Sequence, residues 1–115
     1  MEPNARWVEF TKSFNEGKFY EAHEAAEFIW AARGYQPRDM YRGLTQIAVS
    51  LEHLKKGNAI GARRVLDKAQ GIFRLYQGPA WIGVLLERCE SIVQMRENSP
   101  AAVEFPKIPW LSEPP

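Results

Sequence analysis

The chain has 115 residues, the length of one domain, and its 45% hydrophobic and 25% charged residues exclude a disordered or fibrous protein. A formal net charge of +1 gives no general electrostatic reason to expect nucleic acid or a membrane as partner. The single cysteine, Cys89, cannot form an intramolecular disulfide, and the segment MEPNARWVEF lacks the features of a secretion signal. With no apolar run of membrane-spanning length, we expect a soluble, cytoplasmic protein.

Apolar residues recur with the period of helices, and no stretch alternates long enough to predict a strand. The sequence therefore predicts an all-α fold, a single compact bundle of about five antiparallel helices. The predicted helices cover residues 4–14, 18–33, 37–56, 58–76 and 84–96.

Turn residues set the predicted helix ends. Gly34 and Gly57 suit the left-handed position that follows a helix, and Asn58 is a good N-cap for the fourth helix. Pro37 belongs in the first turn of the third helix, and the segment QGPAWIG, residues 77–83, should separate the fourth helix from the fifth.

Three glycines, Gly43, Gly61 and Gly71, lie inside predicted helices. A glycine costs a helix interior roughly 1 kcal/mol, so we expect neighbouring helices to approach closely at these positions.

The C-terminal segment NSPAAVEFPKIPWLSEPP is too rich in proline to be helical throughout. It nevertheless offers Phe105, Ile108 and Trp110 as side chains to bury. We predict a helical domain over residues 1–97 and an extended proline-rich strap, residues 98–115, packed on the bundle.

An internal echo links GKFYEA, which begins at Gly17, with GNAIGA, which begins at Gly57. Both have a glycine, a large residue two positions on and an alanine three positions later, as at the helix-to-helix corner of tetratricopeptide repeats. The period and the other markers of that family are absent. The echo therefore indicates antiparallel helix hairpins with close crossings.

The segment AHEAAE on the second helix carries the most reactive side chains. His23 falls on the apolar face of that helix, Glu27 lies one turn later at its border, and Glu24 points the other way. On the third helix, a stripe of small and polar residues lies opposite the apolar face; its members are Gly43, Gln46, Ser50 and His53. If this stripe packs against the second helix, it brings further polar groups close to His23 and Glu27.

Three interpretations of His23 remain open. It belongs to a buried hydrogen-bond network oriented by Glu27, to a small-ligand or acid/base pocket, or to a metal site completed by His53. The zinc pattern HExxH is here only HEAAE, so we predict no metal and no other cofactor. The predicted ligand-binding residues are His23, Glu27, Trp30, Gln46 and His53.

Three blocks, FNEGKFYEAHEAAEFIW, GLTQIAVSLEHLKKGNAIGA and AWIG, resemble a small bacterial and archaeal family, the domain of unknown function numbered three hundred and nine. The resemblance extends from Phe14 to the fifth helix and implies a compact all-α bundle, with no activity, substrate or cofactor attached. The positions it implies as signatures are His23, Glu24, Glu27 and Trp30 in one block and Gly43, Gln46, His53, Gly57, Asn58, Gly61 and Ala62 in the other.

The leading hypothesis from the sequence is a binding protein for a small molecule or a protein, with a polar cleft between the second and third helices. The first alternative is a tetratricopeptide-like protein-interaction module. The second is a metal-dependent hydrolase that uses His23, Glu27 and His53.

Overall fold

A computed structural model of the chain describes residues 3–75, 78–99, 102–111 and 114–115. These residues form helices and no strand, so the predicted all-α bundle is confirmed. The helices are α1 (Pro3–Asn15), α2 (Phe19–Ala32), α3 (Met40–Lys55), α4 (Ala59–Phe73) and α5 (Ala80–Asn98).

Helices that follow one another in the chain pack side by side, from α1 against α2 through to α4 against α5. The Lys55 ammonium at the end of α3 donates to the Gly17 carbonyl just before α2, at 2.7 Å, because these two helices run in opposite directions. Spacings of three and four residues place Trp7, Phe10 and Phe14 on one face of α1, where all three are buried.

Two helix starts differ from the prediction by three residues or more. The third helix begins at Met40 because Asp39 caps it: one carboxylate oxygen accepts from the Tyr41 amide at 2.9 Å. Pro37 therefore lies in the preceding turn. The fifth helix begins four residues earlier than predicted, with Pro79 just before its first turn, so Ile82 joins the core. The predicted end of the fourth helix, Tyr76, lies outside the described residues.

Close helix approach is confirmed at two of the three helical glycines. A methyl group on Gly43 of α3 would lie 2.5 Å from the Phe73 ring of α4, and one on Gly61 of α4 would lie 3.1 Å from the His53 ring of α3. Nothing lies within 4 Å of the corresponding position at Gly71, so the expectation was wrong there.

The C-terminal segment lies on the bundle over residues 102–111. Ile108 is buried and Phe105 is half-buried, whereas Trp110 remains 60% exposed, contrary to the prediction. The division into a domain of residues 1–97 and a strap of residues 98–115 stays a prediction. No helix among the described residues is long and apolar enough to cross a membrane.

Candidate functional site

His23 lies at the edge of the buried face of α2, between solvent and core. Its side chain is 23% exposed, and its Nδ1 lies 2.9 Å from the Tyr20 carbonyl oxygen. Because that oxygen can only accept, Nδ1 carries the hydrogen. The other ring nitrogen, Nε2, lies 3.6 Å from a carboxylate oxygen of Glu27, so the predicted pairing of these residues is confirmed. The pair is attractive only when the ring is protonated.

A groove of about 330 Å³ lies between α1 and α2 beside this pair. Two carboxylates line it, Glu24 and Glu27, which are one helical turn apart. Glu27 thus contacts His23 and also lines the groove. Glu24, which points away from His23, lines the same groove. The full lining is Arg6, Glu24, Glu27, Phe28, Ala31 and Tyr35.

The cation of this groove, Arg6, is already engaged by its own neighbours. Its guanidinium lies 4.3 Å from the centre of the Phe28 ring, and its Nη1 donates to Glu9 at 3.0 Å. Its Nε is buried and has no hydrogen-bond acceptor within the described part of the chain. The buried Nε–H of Arg6 is therefore a donor that the described protein groups leave unpaired.

Two aromatic residues, Trp30 and Tyr35, contact one another at the C-terminal end of α2, and Tyr35 lines the groove. Trp30 donates from its indole nitrogen to the Gln36 carbonyl at 2.8 Å, and its ring meets the ring of Tyr35 edge to face at 5.0 Å. Tyr35 has a φ of 54°, a left-handed conformation that is unusual for a bulky residue. Trp30 thus lies behind the groove and orients the exposed Tyr35 ring.

The polar stripe of α3 packs against α4. Gly43 lies against Phe73, the Ser50 hydroxyl donates to the Ala62 carbonyl at 2.8 Å, and the His53 ring lies beside Gly61. Small side chains permit this close crossing. The contacts do not support the polar cleft that we predicted between α2 and α3, since the groups meant to line it serve the interface between α3 and α4.

The predicted site residues on α3, Gln46 and His53, form no hydrogen bond or ion pair with His23 among the described residues. His53 Nδ1 lies 3.3 Å from the Asn58 side-chain nitrogen at the start of α4. Gln46 is half-buried, and its side-chain oxygen has no hydrogen-bond partner among the described residues. Within those residues no group of three or more His, Cys, Asp or Glu side chains is arranged to hold a metal ion, so His23, Glu27 and His53 do not form one.

Two further titratable groups serve the core and the contact between α4 and α5. Cys89 is a small core side chain, and its burial raises the pKa of the thiol to about 12. Hydrogen bonds from Arg63 on α4 hold the pKa of the Glu90 carboxyl on α5 below its usual range.

Residues 7–65 match the family described as a domain of unknown function, DUF309. The chain belongs to this family. The match contains α2, α3 and the start of α4, so it includes both carboxylates of the groove and the α3 side of the interface with α4, whereas Phe73 lies beyond it.

A curated uncharacterised protein of Aquifex aeolicus (strain VF5) is 34% identical to this DUF309 chain over 58 residues. That alignment covers 50% of the chain and 17% of the relative, so the chain matches only a small part of the relative's length. No solved structure matches the chain.

The signature positions that the family resemblance implied for this DUF309 chain lie in two different places in the structure. Glu24 and Glu27 line the groove with Trp30 behind them, whereas Gly43, His53 and Gly61 lie between α3 and α4. Sequence reasoning missed Arg6, Phe28 and Tyr35 as groove residues. Phe28 could have been found, because a phenylalanine follows Glu24 by one turn on the side of α2 that faces away from the core.

Proposed function

We propose that the protein is a binding protein, and that the groove between α1 and α2 takes a small ligand with an ammonium group. The observation that carries the proposal is the pair of carboxylates, Glu24 and Glu27, side by side in an aromatic-lined groove. Like charges one turn apart on a helix repel one another, and a bound cation would relieve this repulsion.

The charges around the groove favour a cation over an anion. Arg6 is balanced by Glu9, at 3.0 Å, and no ion pair among the described residues engages Glu24. Glu27 has an ion-pair partner only when the His23 ring, at 3.6 Å, is protonated. At least one negative charge is therefore left on the groove, next to the exposed Tyr35 ring, and aromatic rings also attract organic cations.

Arg6 extends the proposal to ligands that also carry an acceptor group. Its buried Nε has no acceptor from the described residues, and buried donors in native proteins are usually paired. A ligand with both an ammonium and a carboxylate group would satisfy Glu24 and Arg6 together. A groove of about 330 Å³ has the size of small-molecule sites.

The experiment is a thermal-shift and calorimetric comparison of four probes: phenethylamine, agmatine, phenylalanine and succinate. We expect the three ammonium compounds to raise the melting temperature and succinate to leave it unchanged. Glu24→Gln and Glu27→Gln should each weaken ammonium binding at least about tenfold, because each removes a charge-assisted contact. Tighter binding of phenylalanine than of phenethylamine, abolished in Arg6→Met, would show that Arg6 takes part.

A matched control is Glu87→Gln, which removes an exposed carboxylate from α5, away from the groove. We expect it to bind the ammonium probes like the wild type. Equal weakening by Glu87→Gln and Glu24→Gln, or no binding of any probe, would contradict the proposal.

A helix-hairpin interaction module is the second candidate function. It is favoured by the way successive helices pack as hairpins and by the C-terminal segment that lies along α1. The metal-dependent hydrolase has no comparable support, since its three residues do not gather among the described residues.

A further inference from the structure

One face of α1 binds the chain's own C-terminal segment through main-chain atoms. The Asn15 side chain donates to the Ile108 carbonyl at 3.0 Å and accepts from the Ile108 amide at 2.8 Å. The Trp7 indole donates to the Leu111 carbonyl at 3.2 Å. None of these bonds depends on the identity of the side chain at 108 or 111. Proteins that bind extended peptides of other chains use main-chain bonds in the same way.

The two contacts set the direction of the segment. Ile108 is held by Asn15 near the end of α1, and Leu111 is held by Trp7 two turns earlier. Residues 102–111 contain no helix. The segment therefore runs along α1 in the opposite direction as irregular, non-helical chain.

Side chains of the segment fall into buried and free positions. The Phe105 ring meets Phe19 edge to face at 5.2 Å, and Pro106 and Ile108 are buried. Lys107 and Trp110 are exposed. The surface thus selects an aromatic residue, a proline, one free position and an aliphatic residue, in that order.

A buried hydroxyl on the same face has no partner in the chain's own segment. Thr11 is 0% exposed, and its Oγ1 forms no hydrogen bond with any described residue. It lies one turn from both Trp7 and Asn15, between the positions that hold Leu111 and Ile108. Pro109 has no amide hydrogen to donate, and the amide of Trp110 does not bond this hydroxyl either. The chain's own segment therefore leaves this face incompletely satisfied.

We infer that the face of α1 formed by Trp7, Thr11 and Asn15 is a binding surface for an extended peptide segment of another protein. The partner segment has the pattern aromatic, proline, any residue, aliphatic, followed by a residue with a free amide. In the unbound protein, residues 102–111 cover the surface as a built-in competitor. This inference concerns a different face of α1 from the proposed ammonium groove, so either stands without the other.

The test uses the full chain and a labelled peptide, AVEFPKIPWL, that copies residues 102–111. In the variant Phe105→Ala/Ile108→Ala the chain's own segment holds less tightly, so we expect the peptide to bind it by fluorescence anisotropy. Wild type and Trp110→Ala keep the segment in place. They should bind at least about tenfold more weakly, because a tethered segment competes at a high effective concentration.

Variants of the surface give the decisive comparison. Adding Asn15→Ala to the double variant should weaken peptide binding at least about tenfold. A second peptide, AVEFPKIAWL, supplies the missing amide and should bind more tightly than the first. The gain should disappear when Thr11→Val is added, because valine has the same shape without the hydroxyl.

Binding of a scrambled peptide as tight as that of AVEFPKIPWL, or no binding to the double variant, would overturn the inference. A wild-type dimer whose Ile108 amide loses hydrogen-exchange protection on dilution would also overturn it, because a second copy would then be the partner. If the double variant fails to fold, exchange at the Ile108 amide of wild type is measured instead, and excess AVEFPKIAWL must raise it.

Discussion

At the scale of single residues, His23 and Glu27 have the geometry of a surface pair, and Glu27 also lines the groove between α1 and α2. Their side chains are 23% and 50% exposed, and one turn of α2 separates them. Exposed pairs at this spacing contribute about 0.3 to 0.5 kcal/mol. The arrangement therefore does not require the buried structural network that the sequence left open.

Thermal and denaturant unfolding of His23→Ala, Glu27→Ala and the double variant measures the coupling between the two residues. We expect each single change to alter the free energy of unfolding by less than about 1 kcal/mol, with a coupling of at most about 0.5 kcal/mol. Losses well above 1 kcal/mol for each single variant, with strong coupling between them, would instead show that the pair stabilises the fold.

The helical glycines offer a comparison of one substitution in two environments. Gly43→Ala should destabilise the fold, because the new methyl would lie 2.5 Å from the Phe73 ring that closes the crossing of α3 and α4. Gly71→Ala meets open space and should stabilise the protein by roughly 0.5 to 1 kcal/mol, since alanine favours a helix. Denaturant melts of both variants decide, and the same sign for both would contradict this account of the crossing.

At the scale of elements, the corner between α3 and α4 behaves as the sequence predicted. Gly57 has a φ of 81°, and the Asn58 side chain accepts from the Gly61 amide at 2.9 Å. Asn58→Ala should therefore lower the free energy of unfolding by about 0.5 to 2 kcal/mol. Asn58→Asp retains an acceptor for this bond and serves as the control. An unchanged melting curve for Asn58→Ala would show that the cap does not stabilise the fold.

The contact between α4 and α5 depends on charge. Arg63 bonds both carboxylate oxygens of Glu90 and also bonds Glu97 at 3.0 Å. Because Arg63 lowers the pKa of Glu90 relative to the unfolded chain, the pair stabilises the fold fully above the ordinary glutamate pKa of about 4.3. That contribution is lost as the pH falls through the lower pKa of the folded state.

Unfolding of wild type and Glu90→Gln across pH tests this linkage. We expect the variant to be less stable by about 1 kcal/mol at pH 7, with the difference shrinking below pH 4. Glu87→Gln, whose carboxylate is exposed on the same helix, should show little difference at either pH. A gap between wild type and Glu90→Gln that stays constant with pH would contradict the linkage.

At the scale of the whole molecule, local signals predicted the fold well and the site less well. Helical periodicity, the Gly57–Asn58 corner and the apolar face of α1 are properties of neighbouring residues, so one sequence reveals them. Which helix faces the α3 stripe is a property of packing between distant segments. The same small residues suit a cleft or a close crossing, and the Ser50 bond to Ala62 is what distinguishes the two.

The groove between α1 and α2 could not be predicted from the sequence for the same reason: it depends on packing between distant segments. Glu24 and Glu27 were visible as neighbours on one helix, but Arg6 comes from another helix, eighteen positions before Glu24. The protein thus presents two distinct faces of α1, one beside the groove for which we propose ammonium binding and one beneath its own C-terminal segment.

The most direct test of the proposed binding function is a ¹H–¹⁵N NMR titration of the wild type with phenethylamine. The account predicts saturable shifts at the amides of Arg6, Glu24, Phe28 and Tyr35, greatly reduced in Glu24→Gln and retained in Glu87→Gln. Shifts that instead spread over all acidic residues, those around Glu90 and Glu97 included, or that persist unchanged in Glu24→Gln, would contradict it.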